Sequence, residues 1–191
     1  MDIYEALANR RTIRFYEQRS VPRESLAKMI DAARVTSCAS NLQRLRYVVA
    51  MDKSLVDAIF KHTAWAGLLS GKRTPVLGVT SPAAFIAILG KAPLSDHLYA
   101  DAGAAIQSMQ LSAWGMGLGC CWIGSVDKKA VEPMLPMPEG MELMYVLAVG
   151  YPAEKPCGED VSAGSPLAYY LDSNGGLRVP KLERDAVATF V

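Results

Sequence analysis

Residues 99–114 restrict the fold of this chain more than any other stretch. Ala100, Gly103, Ala104, Ile106, Met109, Leu111 and Trp114 fall at helical spacing and leave few positions for solvent. A helix apolar on nearly every side is buried, either centrally or against a second subunit. Asp101 and Gln107 are the polar residues on it, and buried polar groups need partners. Gly115-Met116-Gly117-Leu118-Gly119 follows and leads into the strand Cys120-Cys121-Trp122-Ile123. A dinucleotide fingerprint fails here on spacing, since its third glycine falls on Cys120, and on order, since the run follows a helix. These glycines instead cap the helix and turn the chain into a strand.

The other elements follow the same logic. Residues 82–89 are apolar on both faces and read as a central strand. Residues 46–50 form a strand by β-branched and aromatic content, and 141–149 form another, closed by Gly150-Tyr151-Pro152. Trp122 and Tyr47, as strand aromatics, are expected in the core. Helices are expected over 2–8, from an N-cap at Ser20 to about Val35, after a cap at Asp52, and over 128–135 after a cap at Asp127. Residues 63–80 show no clean period and read as mixed helix and loop. Beyond Pro156 the chain is rich in glycine and proline and reads as loop-rich, yet Leu167 to Leu171 and Ala186 to Val191 are apolar. That is too sticky for a disordered tail and reads as an extension wrapping a partner subunit.

The 191 residues carry a formal net charge of +1, which argues against wholesale nucleic-acid binding. Cys38, Cys120, Cys121 and Cys157 form no CxxC pair, and His62 and His97 are the only histidines, so a metal centre is not expected. Met1-Asp2-Ile3-Tyr4-Glu5 lacks the basic start and apolar run of a signal peptide. The longest apolar stretch is far too short for a bilayer. The expectation is a soluble, cytoplasmic protein with no membrane or nucleic-acid partner.

The chemistry-bearing stretch is Arg10-Arg11-Thr12-Ile13-Arg14. Arginine offers planar, permanently charged N–H forks that match phosphate oxygens. A pocket for a phosphate monoester and a solvated basic turn both fit these residues, and charge alone favours the second.

Four segments together resemble the FMN-dependent nitroreductases. The first is that arginine run, similar to the family's Arg-Arg-Ser-Ile-Arg. The second, Ser37-Cys38-Ala39-Ser40-Asn41-Leu42-Gln43, is similar to Pro-Ser-Ala-Gly-Asn-x-Gln. The third joins Asp101-Ala102-Gly103-Ala104-Ala105-Ile106-Gln107 to Gly117-Leu118-Gly119-Cys120-Cys121-Trp122-Ile123-Gly124. The fourth is Leu147-Ala148-Val149-Gly150-Tyr151-Pro152-Ala153-Glu154-Lys155-Pro156. Cys38 departs from the family's hydroxyl, Arg44-Leu45 replaces Pro-Trp, and residues 61–82 match nothing in the pattern.

The resemblance implies a nitroreductase-like α+β fold, with a central, mostly antiparallel sheet flanked by helices, in an intertwined homodimer. Residues 1–156 would be the FMN-binding domain and 157–191 the extension embracing the partner. It implies that Arg10, Thr12 and Arg14, with Arg11, hold the FMN phosphate and ribityl chain. Asn41 and Gln43, beside Ser37, Cys38 and Ala39, would meet the flavin from the other subunit. Ile123 and Gly124 would lie along the isoalloxazine near N5, and Lys181 or Arg178 would complete the phosphate site. The implied activity is ping-pong oxidoreduction, with hydride passing from NADH or NADPH through N5 to a nitroaromatic, quinone or similar conjugated acceptor, and no catalytic side chain required. A non-catalytic flavin carrier or sensor is the alternative. An anion- or RNA-binding module is a more distant one.

Overall fold

A computed structural model describes residues 2–69 and 71–191. The chain runs through α1 (Ile3–Asn9), α2 (Arg23–Arg34), β1 (Leu45–Ala50), α3 (Lys53–Lys61), β2 (Ala84–Lys91), α4 (Asp96–Gly115) and β3 (Gly119–Ile123). It continues through α5 (Lys128–Val131), β4 (Met141–Gly150), β5 (Cys157–Val161), β6 (Tyr170–Leu171) and β7 (Leu177–Leu182). The main sheet has the order β1-β2-β4-β3 and every pairing in it is antiparallel.

Helices on both sides bury both faces of this sheet. On β2, Ile86 and Ile88 join Leu26, Met29, Ile106 and Met109 on one face. Phe85, Ala87 and Leu89 join Ile13, Tyr16 and Ile59 on the other. That two-period alternation explains why the central strand reads as apolar throughout. Cys120 and Cys121 part the same way, one to each layer.

The buried helix α4 lies in the first layer through Leu98, Ala102, Ala105, Ile106, Met109 and Ala113. Its polar buried residues are Asp101 and Gln110, one turn away from the expected Gln107, which is half-buried. Gly117 adopts φ 73°, so the glycine run does turn the chain from helix into strand. Asp52 and Asp127 cap their helices as expected, accepting from Leu55 N–H at 3.0 Å and Ala130 N–H at 3.2 Å.

Three expectations need correction. The N-cap of α2 is Pro22 rather than Ser20, in extended backbone and with no side-chain cap bond, because Val21 is drawn into the core and delays the helix. Trp122 is 40% exposed although the other residues of β3 are buried; the indole meets Tyr145 edge-on at 5.1 Å. The stretch after Pro156 is no mere loop: β5 pairs parallel with β7, and β6 pairs antiparallel with it. This second sheet lies against the opening segment, with Arg11 packed on Gly158.

Candidate functional site

The arginine segment is fixed before its side chains are considered. Ile13 N–H donates to the Cys120 carbonyl at 2.9 Å, and Ala153 N–H donates to the Phe15 carbonyl at 2.9 Å. The buried Ile13 sits on Gly119 and the buried Tyr16 on Gly150; a Cβ on either glycine would fall 2.5 and 2.7 Å from those side chains. The glycines of two segments therefore admit the apolar residues of a third. Tyr16 closes the turn by donating its hydroxyl to the Ile13 carbonyl at 2.6 Å.

Arg10 and Arg11 then open, with Lys155 and Lys181, onto a cleft of about 1030 Å³ that Glu5 and Asp160 also border. The Arg10 Nε and Nη1 and the Arg11 Nε are buried without a hydrogen-bond partner. Burial, followed by the charge of Arg11, lowers the Arg10 pKa. Both effects are relieved by an anion, and unpartnered buried guanidinium donors fit the phosphate of a flavin mononucleotide. Lys181 is at this cleft, whereas Arg178 donates to Asp172 at 2.8 Å. Thr12 is half-buried between Arg11 and Ile13.

Arg14 faces elsewhere. It borders a cavity of about 250 Å³ with Trp65, Cys121, Trp122, Ile123, Gly124 and Tyr169. Its guanidinium lies over the Tyr169 ring, 5.0 Å from the centroid. Burial pushes the Cys121 thiol up to about 11, with Arg14 pulling the other way.

Ser37, Cys38 and Gln43 border a third cavity, of about 400 Å³, with Arg44, Tyr47 and Asp101 over an apolar floor of Ile30, Leu45 and Val49. The loop above it is unusual: Ser40, Asn41 and Gln43 have φ of 51°, 52° and 48°. Left-handed backbone in residues other than glycine collects at functional loops. Gln43 N–H donates to the Cys38 sulfur at 3.4 Å, Gln43 Nε2 donates to Asn41 Oδ1 at 3.2 Å, and Ala39 N–H donates to Asp101 Oδ1 at 2.9 Å. Burial, with Cys38 also contributing, pushes the Tyr47 phenol up to about 12.

A family model for the nitroreductase family matches residues 7–151, most of the chain. The chain belongs to the nitroreductase family. A Methanothermobacter thermautotrophicus protein with the provisional name NADH dehydrogenase/NAD(P)H nitroreductase is 26% identical over 165 residues, covering 84% of this chain and 83% of its own. The FMN-dependent nitroreductase of Clostridium difficile R20291 superposes with a TM-score of 0.64 at 25% identity, covering 78% of this chain and 87% of its own. The NADPH:FMN oxidoreductase of Vibrio harveyi, complexed with NAD+, superposes at 0.64 and 22% identity, covering 81% and 70%, and supports the fold alone.

Within this nitroreductase fold, sequence reasoning missed the residues that fasten the site. Arg73 is buried in the stretch that matched no pattern, ion-pairs with Glu154, and lies over the Phe15 ring 4.2 Å from its centroid. Asp101 had one legible signal, a carboxylate on an otherwise apolar helix. Arg73, Trp65 and Tyr169 had none.

Proposed function

We propose that this nitroreductase-family protein is an FMN-dependent NAD(P)H oxidoreductase acting on a small conjugated acceptor, such as a nitroaromatic or quinone. The observation that carries the reading is the convergence of Arg10, Arg11, Lys155 and Lys181 on one cleft, with unpartnered Arg10 and Arg11 guanidinium N–H groups buried at its wall. When bound, FMN would supply the redox chemistry, two-electron exchange between NADH or NADPH and the acceptor in ping-pong order.

The chain's own residues bind and orient. Arg10, Arg11 and Lys181 grip the phosphate, with Thr12 on the same segment. Arg11 and Arg14 are separated by at most about 10 Å of extended chain, a reach suited to a ligand with its anionic end at one and its ring at the other. Arg14 then places positive charge at the ring end, beside the backbone of Ile123 and Gly124, where it favours an electron-rich reduced flavin. Ser37, Cys38 and Gln43 border a cavity apart from both arginine pockets, with Ala39 and Asn41 on the same loop, so we place these five residues on the flavin of a second copy in a homodimer. Residues 157–191 serve as the extension that completes this assembly, with exposed Val187 and Phe190 at its end. Among the described residues no helix is long and apolar enough to cross a membrane, and the cysteines are free thiols that suit the cytoplasm.

The test is the spectrum of the purified protein. A yellow protein with FMN absorbance, bleached anaerobically by NADH or NADPH, is expected. Binding without bleaching by either would leave a flavin carrier, and no flavin even after reconstitution would remove the reading. Arg10→Ala and Arg14→Ala should each weaken FMN retention at least tenfold, the order lost when a charge-assisted contact is removed, while Arg23→Ala leaves it unchanged. Equal loss from Arg10→Ala and Arg23→Ala would undo the phosphate assignment. Sedimentation of the protein as a monomer would undo the shared site.

A further inference from the structure

Glu154 reaches back to the opening segment from just beyond the Gly-Tyr-Pro turn. Its Oε1 accepts from Arg14 N–H at 2.5 Å and from Phe15 N–H at 3.0 Å. Arg14 would be an obvious cation for this carboxylate, since the segment it belongs to is already bound. The ion pair is made instead by Arg73, from a different part of the chain. Both side chains of that pair are about nine-tenths buried. Among the described residues the Arg14 guanidinium has no carboxylate within ion-pair distance, and it rests on Tyr169 beside Ile123 and Gly124.

We infer that Arg73 and Glu154 are positioning residues of the flavin site: Glu154 fixes the backbone of Arg14, and Arg73 neutralises Glu154 so that the charge of Arg14 stays available to the cofactor. The inference rests on the FMN reading for the identity of that cofactor. Arg73 is lowered in pKa first by burial and then by the charge of Arg14, which places the two guanidiniums within each other's field and agrees with the geometry. A carboxylate clamp without a counter-cation would hold the backbone equally well but would cancel the field of the side chain it positions. A neutral amide clamp would hold the backbone and leave Arg73 buried without its anion. The pair meets both requirements.

The experiment compares Arg73→Gln, Arg73→Lys, Glu154→Gln and the double variant R73Q/E154Q by flavin midpoint potential and by FMN affinity in each redox state. Arg73→Gln leaves Glu154 unanswered and should weaken reduced relative to oxidised FMN about tenfold, a downward shift of about 30 mV for a two-electron couple. Glu154→Gln retains an acceptor for both N–H groups and should shift the potential upward by a similar amount. Arg73→Lys and the double variant should return near the wild-type value. Shifts of the same sign in Arg73→Gln and Glu154→Gln, or no shift in either, would overturn the charge role.

Two readouts on flavin-free protein separate this inference from the FMN reading. Amide hydrogen exchange at Arg14 and Phe15 should remain slow in Glu154→Gln and accelerate at least tenfold in Glu154→Ala; unchanged exchange in Glu154→Ala would overturn the clamp. Phenylglyoxal should label Arg14 in the wild type and be excluded in Arg73→Gln, where Arg14 takes over the carboxylate. If wild-type protein binds no FMN, the proposed cofactor fails while these two readouts still decide the clamp and the charge. Should Arg73→Gln not fold, Glu154→Gln and the double variant carry the test.

Discussion

The Arg14 segment and the Asn41 loop are both irregular backbone, and each is tied down by one buried carboxylate from a distant element. Glu154 accepts two backbone N–H groups and is charge-paired with Arg73. Asp101 accepts one, from Ala39, and its Oδ2 is buried with no partner. The first segment also threads extended backbone past β3, whereas the second holds three residues at positive φ. Left-handed backbone costs a non-glycine residue roughly 1–2 kcal/mol, and an unsatisfied buried acceptor costs about 1–3 kcal/mol. One wall is therefore built for fixity and the other stores strain. Such strain persists where surrounding structure over-determines it, which points to a loop whose shape is completed by what it touches.

The comparison breaks most visibly at Glu154. Glu154→Ala removes the one oxygen that accepts from both N–H groups and leaves Arg73 as an uncompensated buried charge, so a loss of about 3–5 kcal/mol in urea denaturation is expected. Asp101→Ala should cost less, about 1–2 kcal/mol, because it forfeits one N–H contact but also removes the unpaired oxygen. Asp101→Asn retains an acceptor for Ala39 and should lie closer to wild type. Equal losses from the two alanine variants would show that the two fastenings do not differ in kind.

Relief of strain is the next smaller effect. Ser40 at φ 51° has no assigned ligand role, and Ser40→Gly removes its Cβ penalty at a cost in unfolded-state entropy. A net gain of up to about 1 kcal/mol in the same denaturation measurement is expected. A loss would mean that the loop carries no strain at that residue.

Much of this architecture was legible because it depends on local pattern. The continuous apolarity of residues 84–89 announced a strand buried on both faces, and the small-residue helix ending in glycines announced α4 and its turn. The resemblance carried the rest of the frame, and the structure supplies a physical reason for two of its motifs, since Gly119 and Gly150 make room for Ile13 and Tyr16. What stayed hidden was decided by contacts between distant residues. Nothing near Arg73 in sequence signals that its charge is answered by Glu154. Nothing in the glycine-rich tail signals that Cys157–Val161 and Leu177–Leu182 lie side by side, because a parallel pair separated by a long connection leaves no local turn signature. Trp122 looked like core because strand aromatics usually are, yet it is the one exposed residue of an otherwise buried strand, and no local pattern marks it.

The smallest effect, on chemistry rather than stability, contrasts one cysteine from each wall. Cys121 borders the cavity with Arg14, and burial holds its thiol at about 11, so it is protonated at pH 8 with roughly one part in a thousand as thiolate. Cys120, fully enclosed in the other layer, is raised further by burial and by its neighbour. Raising the pH toward 11 generates the Cys121 thiolate; lowering it from 8 leaves the thiol unchanged, so the response is confined to the alkaline side. Cys38 sits in the strained loop, half-buried, and its sulfur is held by one N–H from Gln43 at 3.4 Å. Alkylation at pH 8, read by peptide mass spectrometry, should therefore modify the exposed Cys157 first and Cys38 next, with Cys120 and Cys121 reacting only after denaturation. Bound FMN should slow Cys38 if the loop meets the cofactor, and should also slow Cys157, which borders the proposed phosphate cleft. Unchanged alkylation of Cys38 with FMN bound would remove the Cys38 loop from the flavin site and leave its strain without a ligand to account for it.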